Sequence, residues 1–246
     1  MKHSIKIILV LCACVMTTGI ACAQKESMAT WTSLSIKKNI TPKFGLTFRS
    51  EYRSQNNMKD TEMYFFRLTG NYKICPHLSV ALAYDWHNAY QGHSAKGNLA
   101  VDSWIKHSHR ILADIQGAYK YQLLNFTLRE RYVYANAVST DAAAKDENGL
   151  YQTWSSPDGE SHLLRSMPTV TYSIPNSMFS PYVAAEFFNS LNEGDNFKLN
   201  QYHLFAGTNI KLDKTNSLKV FYVFQKKQTA DKILHTIGFD YIISLP

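Results

Sequence analysis

Beyond its first two dozen residues this chain alternates apolar and polar side chains, in one segment of about ten residues after another. A period of two is the mark of an extended strand, whose successive side chains leave opposite faces. The stretch KFGLTFRSEYRS, residues 43–54, puts Phe44, Leu46, Phe48 and Tyr52 on one face. Gly45, Thr47, Arg49, Glu51 and Arg53 fall on the other. Two architectures carry this pattern. A soluble sandwich turns its apolar face to a core; a membrane barrel turns it to lipid and its polar face to a lumen.

The pattern recurs along the whole chain. Residues 62–74 set Tyr64, Phe66, Leu68, Tyr72 and Ile74 against Arg67, Thr69, Asn71 and Lys73. Residues 78–87 set Leu78, Val80, Leu82, Tyr84 and Trp86 against Ser79, Ala81, Ala83, Asp85 and His87. In 105–120, Ile111, Ala113, Ile115 and Tyr119 oppose Arg110, Asp114, Gln116 and Lys120. In 125–135, Phe126, Leu128, Tyr132 and Tyr134 oppose Thr127, Arg129 and Arg131. Segment 162–174 contains Pro168, which predicts a bulge or an edge position. With 29–38, 180–190, 201–212, 217–227 and 233–245, the candidate strands number eleven. No helical periodicity persists beyond a turn, and each segment suits a tilted bilayer-crossing strand.

The connections separate the two architectures. Thr41-Pro42-Lys43, Cys75-Pro76-His77, residues 119–124, Pro175-Asn176-Ser177 and residues 213–217 read as tight turns. Residues 54–61, 88–103, 136–161, 191–200 and 228–232 read as longer polar loops, and the two kinds alternate. Outer-membrane barrels sort their connections in this way, with short turns at one end. Tyr52, Tyr72, Tyr84, Trp86, Tyr90, Tyr119, Tyr132, Tyr134, Tyr172 and Tyr241 fall near strand ends, where interfacial girdles would stand. These signals predict the barrel.

The start of the chain agrees. Lys2 and Lys6, the apolar run from Ile7 to Ile20 and Ala21-Cys22-Ala23 have the form of a cleaved secretory leader over residues 1–23. Lipidation at Cys22 is disfavoured by Gly19, which stands where such sites carry Leu. Residues 24–246 then form one barrel domain, holding 24 basic against 19 acidic side chains and one cysteine, Cys75. The positive charge is scattered rather than clustered, so no nucleic-acid arm is expected. A lone cysteine allows no intramolecular disulfide.

Trp31, LTFRSEYR (46–53), NYKICPHLSVALAYDW (71–86), HSHR (107–110), FTLRERY (126–132) and PYVAAEFF (181–188) resemble the domain of unknown function 2490 family. The resemblance implies a secreted Gram-negative outer-membrane β-barrel. It carries over no catalytic residue, because the similar stretches are strand patterns.

Enzymatic motifs are weak. His77-Leu78-Ser79 falls on a tight turn. In His107-Ser108-His109, with Asp102 nearby, alternation turns Ser108 away from both histidines, against the geometry of a hydrolase triad. His107 and His109 share a face but have no third ligand in view. Asp141, Asp146, Glu147 and Asp158 lack EF-hand spacing, and no cation cluster flanks Cys75. No cofactor is expected.

The charged faces are more informative. Alternation turns Arg49, Arg53, Arg67, Arg110, Arg129, Arg131 and Arg165 inward, with Lys73, Lys120, Lys211, Lys219 and Lys227. The inward acids are Glu51, Asp85, Asp114, Glu186 and Asp240. The sequence therefore predicts an all-β, antiparallel, up-and-down transmembrane β-barrel of about 10–12 strands, with outer-membrane lipid as its partner. Its role is read as non-enzymatic: a small passive pore with an anion-favouring lumen, or a structural barrel with a plugged one. A lipid-modifying hydrolase barrel and a soluble periplasmic binding barrel are the alternatives. The sequence specifies no protein partner or oligomeric state. Bacterial single-chain barrels have even strand numbers. Eleven candidates therefore imply that residues 29–38 are not a wall strand, or that one segment holds two strands.

Overall fold

Strands dominate, as the period of two requires. The computed structural model describes residues 25–192, 194, 197–228 and 232–246; the expected leader, residues 1–23, lies outside the described residues. The first strands are β1 (Lys25–Asn39), β2 (Phe44–Gln55), β3 (Asp60–Cys75) and β4 (Leu78–Gln91). Short strands β5 (Ser94–Lys96) and β6 (Leu99–Val101) precede β7 (Trp104–Tyr121) and β8 (Leu124–Ala137). Short strands β9 (Asp141–Lys145) and β10 (Tyr151–Ser155) precede β11 (Gly159–Tyr172) and β12 (Phe179–Ser190). The chain ends with β13 (Leu199–Lys211), β14 (Asn216–Lys227) and β15 (Lys232–Leu245).

Eleven of these strands form a closed barrel in the order β1-β15-β14-β13-β12-β11-β8-β7-β4-β3-β2. Neighbours pair antiparallel except at the seam, where β1 and β15 run parallel from Lys25↔Lys232 to Lys38↔Leu245. This corrects the expectation of an even count. Residues 29–38 do belong to a wall strand, no segment hides a second one, and the parallel pair accommodates the odd number. Its consequence is topological. β1 begins at the end that bears the long connections, and β15 finishes at the end that bears the tight turns.

Three further expectations are corrected. Pro168 marks neither an edge nor a register shift: the ladder to β8 runs through Pro168↔Leu128. Pairing with β12 instead skips from Ser166↔Phe187 to Thr169↔Ala184, which excuses the proline from donating there. The connection 54–61 is tighter than expected, because the flanking strands extend to residues 55 and 60, and most of the expected loop 228–232 lies outside the described residues. The turn at 56–59 places Asn56, Asn57 and Met58 at positive φ, and Asn57 is pinned to β1 by its Oδ1, which accepts from Met28 N at 3.0 Å. Finally, 88–103 and 136–161 are not plain loops. They contribute β5, β6, β9 and β10 to a four-stranded sheet, order β10-β9-β6-β5, at the long-connection end. Val101, Ala142 and Ala144 are its core, with Trp104 set edge-on to Trp154 at 5.5 Å.

The outer wall is apolar. Phe48, Tyr52, Leu68, Leu82, Trp86, Ile111, Leu128, Val183, Leu204 and Phe239 are all exposed there, Leu82 by 62%. The inner face holds the buried groups. On one side Trp31, Tyr182, Phe221 and Val223 pack together with Ala184 and Phe205; on another, Ala83, Leu112 and Val133 pack with Leu163. Phe221 is seated between glycines of both adjacent strands, through the pairs Gly207↔Phe221 and Phe221↔Gly238. A Cβ at Gly238 would overlap the Phe221 ring, and one at Gly207 would strike the β14 backbone. Two bare positions thus let a large ring lie flat against the inner wall.

Candidate functional site

The inner face of β2 sets the pattern. Thr47, Arg49, Glu51 and Arg53 are spaced by two, so all four project into the lumen. Glu51 accepts from Arg49 Nη2 at 2.6 Å and from Arg53 Nε at 2.6 Å. Arg49 also reaches across β1 to the seam strand, donating from Nη2 to Asp240 Oδ1 at 3.0 Å. Ser33 on β1 donates to the same oxygen at 2.6 Å. Small serines on β1 are what let an arginine span from β2 to β15.

The same chemistry repeats around the wall. Arg67 on β3 grips Asp85 on β4 with two bonds, Nε to Oδ1 at 2.5 Å and Nη2 to Oδ2 at 2.6 Å. Arg131 on β8 grips Asp114 on β7 in the same way, at 2.7 and 2.6 Å. Glu186 on β12 accepts from Arg129 Nη2 at 2.7 Å and from Arg165 Nη2 at 2.9 Å. Forked guanidinium–carboxylate bonds are the strongest of the charge-assisted kind. Aromatic rings support the cations from below: Arg53 lies 3.6 Å over Trp31, Arg165 4.5 Å over Phe188 and Lys219 4.3 Å over Tyr182.

Between these groups remains a cavity of about 500 Å³, lined by ten basic and six acidic side chains among the described residues. Its size lies in the range of about 300–1,000 Å³ usual for small-molecule sites. Arg49, Arg53, Arg67, Arg110, Arg129, Arg131, Arg165, Glu51, Asp85, Asp114, Glu186 and Asp240 all line it, as do Lys219 and Lys227. Lys73, Lys120 and Lys211 do not. They are exposed where strands run out at the tight-turn end, beyond the enclosed lumen, which alternation alone does not register. Lys37, Glu62, His203 and the ring wall of Trp31, Phe65, Phe188, Phe205 and Phe221 were not expected there. Their parity could have found several: Lys37 shares a face with Ser35, and Phe65 with Arg67. The assumption that aromatics face outward concealed them.

The lumen also brings Ser108 to His87, Oγ to Nδ1 at 3.4 Å. That is long for an activated nucleophile, and the other ring nitrogen meets Met63 Sδ at 3.1 Å rather than a carboxylate. The orienting partner of a hydrolytic triad is therefore not in place. His109 turns to the outer wall, where its Nδ1 meets Tyr84 Oη at 2.6 Å. No cluster of three or more His, Cys, Asp or Glu that could hold a metal occurs among the described residues. Asp141 and Asp146 are engaged locally, by Ser155 and by the Asn148 and Leu150 amides. Outside the barrel wall, Asp213 accepts from Asn216, whose side chain is the main cause holding its carboxyl well below the usual carboxylate range, with the Thr215 and Asn216 amides adding to it.

Comparison with known proteins places the chain. The family model described as "Protein of unknown function (DUF2490)" matches residues 28–235. The chain belongs to that family. Its DUF2490 region begins inside β1 and ends within β15, so it takes in β2 to β14 entire. A solved structure titled "NanC porin structure in rhombohedral crystal form" is similar at 14% identity, with a TM-score of 0.47, covering 80% of this chain and 84% of that one. No curated protein matches the chain.

Proposed function

We propose that residues 24–246, freed of a leader at 1–23, form a non-enzymatic outer-membrane barrel whose narrow, basic lumen favours anions. Its apolar outer wall supports the membrane location. Exposed Phe, Leu, Ile and Trp side chains over so many neighbouring strands far exceed the few hundred Å² that soluble monomers leave bare. A closed barrel is also the form in which strands satisfy every backbone group within lipid.

The observation that carries the anion reading is the surplus of unpaired cations. Glu51, Asp85, Asp114, Glu186 and Asp240 are each engaged by arginine. Lys37, Arg110, Lys219 and Lys227 line the same cavity with no ion pair among the described residues. Rings of Arg and Lys select anions. In planar bilayers under a potassium chloride gradient, the purified barrel gives a reversal potential on the chloride side. The double variant Arg110→Gln/Lys219→Gln moves it toward zero. Cation selectivity in the unaltered protein overturns the reading.

A second reading, a structural barrel with a closed lumen, is favoured by the ring cluster and the arginine–carboxylate lattice that fill much of the interior. A folded preparation without conductance steps selects it.

A further inference from the structure

We propose that Arg110 anchors a binding site for small organic carboxylates inside the lumen, an inference that rests on the lumen being accessible to anions. It begins with register. Asp85 on β4 stands directly between two arginines, as Arg67↔Asp85 on one side and Asp85↔Arg110 on the other. Both carboxylate oxygens go to Arg67. Arg110 is left without a hydrogen bond or an ion pair among the described residues, and its buried Nε meets no acceptor.

The neighbours leave its head group room. On the far side β8 offers only Ala135 opposite Arg110, and the inward neighbours along β7 are Ser108 on one side and Leu112 on the other. Ala135 and Ser108 are small, and Arg110 lines the cavity. Every other lumen arginine holds a carboxylate: Arg49 and Arg53 share Glu51, Arg129 and Arg165 share Glu186, and Arg67 and Arg131 each have an aspartate. Carboxylate is thus the acceptor this interior uses for guanidinium, and Arg110 offers the same chemistry to a molecule from outside. A half-buried guanidinium whose Nε meets no acceptor is costly, and an incoming anion relieves that cost.

A second cation lies within reach. Asp85, Arg165, Arg67 and Arg53, in that order, stand near enough for their charges to act on Arg110. Of these, Arg53 spends only Nε on Glu51, and its guanidinium carbon lies over the Trp31 ring. A dicarboxylate suits two such heads, and the cavity of about 500 Å³ admits one. Glu62 also lines the cavity and opposes the anion, its buried Oε2 having no hydrogen-bond partner among the described residues.

The test is equilibrium binding to the purified mature protein in detergent, by calorimetry with sodium succinate and, separately, inorganic phosphate. Succinate binds saturably. Arg110→Gln weakens it about tenfold or more, the loss of a charge-assisted contact, while Lys211→Gln at the tight-turn end leaves it unchanged. Ala135→Glu, which sets a carboxylate opposite Arg110, abolishes binding with the arginine still present, and decides the matter if Arg110→Gln does not fold. Glu62→Gln tightens it. Phosphate binding without succinate overturns the carboxylate assignment, and succinate binding that survives both Arg110→Gln and Ala135→Glu overturns the site. If neither anion binds to a barrel that still conducts chloride selectively, the site is removed and the pore reading stands.

Discussion

Replacing Asp85 by Asn removes one negative charge from the most enclosed arginine–carboxylate pair among the described residues. The carboxylate is 1% exposed and Arg67 14%, so water compensates little of the loss. Asn offers one carbonyl in place of two charged oxygens, so one of the two Arg67 bonds is lost and the other becomes neutral. Arg110, across the next strand pair, loses its nearest counter-charge as well. Breaking a buried pair by removing one partner costs about 3–5 kcal/mol, most of it the stranded charge. Hydration from the cavity side places Asp85→Asn at the low end, about 3 kcal/mol. Urea unfolding in detergent micelles, followed by heat-modifiable migration on gels, reads this directly. The double variant Asp85→Asn/Arg67→Gln should recover much of the loss, because the Arg67 guanidinium is then no longer stranded against the amide and only Arg110 still faces it. If the single variant costs under about 1 kcal/mol, or the double variant simply adds two losses, the lattice does not hold the wall together and its charges serve conduction alone.

Two more outcomes follow from the topology and the turns. Because β1 and β15 are parallel, β1 starts at one end of the barrel and β15 finishes at the other. A tag inserted after residue 24, like one at Asn148, should be detected on intact cells and a tag after Pro246 only after permeabilisation; the reverse pattern inverts the barrel in the membrane. Asp213, whose pKa is depressed in the fold, contributes its stabilisation fully above the unfolded value of about 3.9 and loses it as pH falls below that. Carbon NMR of the carboxyl group should show it still ionised at pH 4; half-protonation there removes the turn's cap as the cause.

The alternation in the sequence located every wall strand because one physical constraint, apolar outside and polar inside, acts on each residue of a strand in turn. It was least informative where that constraint is absent. β5, β6, β9 and β10 are three to five residues long and cover one another beyond the wall, so LAV and DAAAK carry no lasting pattern. Inward Trp31, Phe65 and Phe221 read as lipid-facing by chemistry and as luminal by parity, and parity was the better guide. Pairing within the lumen was not legible. Arg67 and Arg110 stand symmetrically about Asp85 in register, and only the side-chain geometry shows which one holds it.

The seam shows how an odd barrel can be specified at all. Parallel pairs are somewhat weaker per residue than antiparallel ones, and no tight turn fixes their register. Here the register is set from inside. Ser33 and Arg49 both bond Asp240, tying β1 and β2 to β15 at a single height. One step along the inner face, Trp31 stands opposite Gly238, and the Phe221 ring that covers this glycine meets Trp31 edge-on at 6.3 Å. Sliding β1 by one residue would turn Trp31 and Ser33 out to the wall and bring Thr32 and Leu34 into the lumen. Sliding it by two would keep the faces but pull Ser33 off Asp240 and Trp31 off the glycine. Polar latch and ring packing reject different errors, and together they leave one closure.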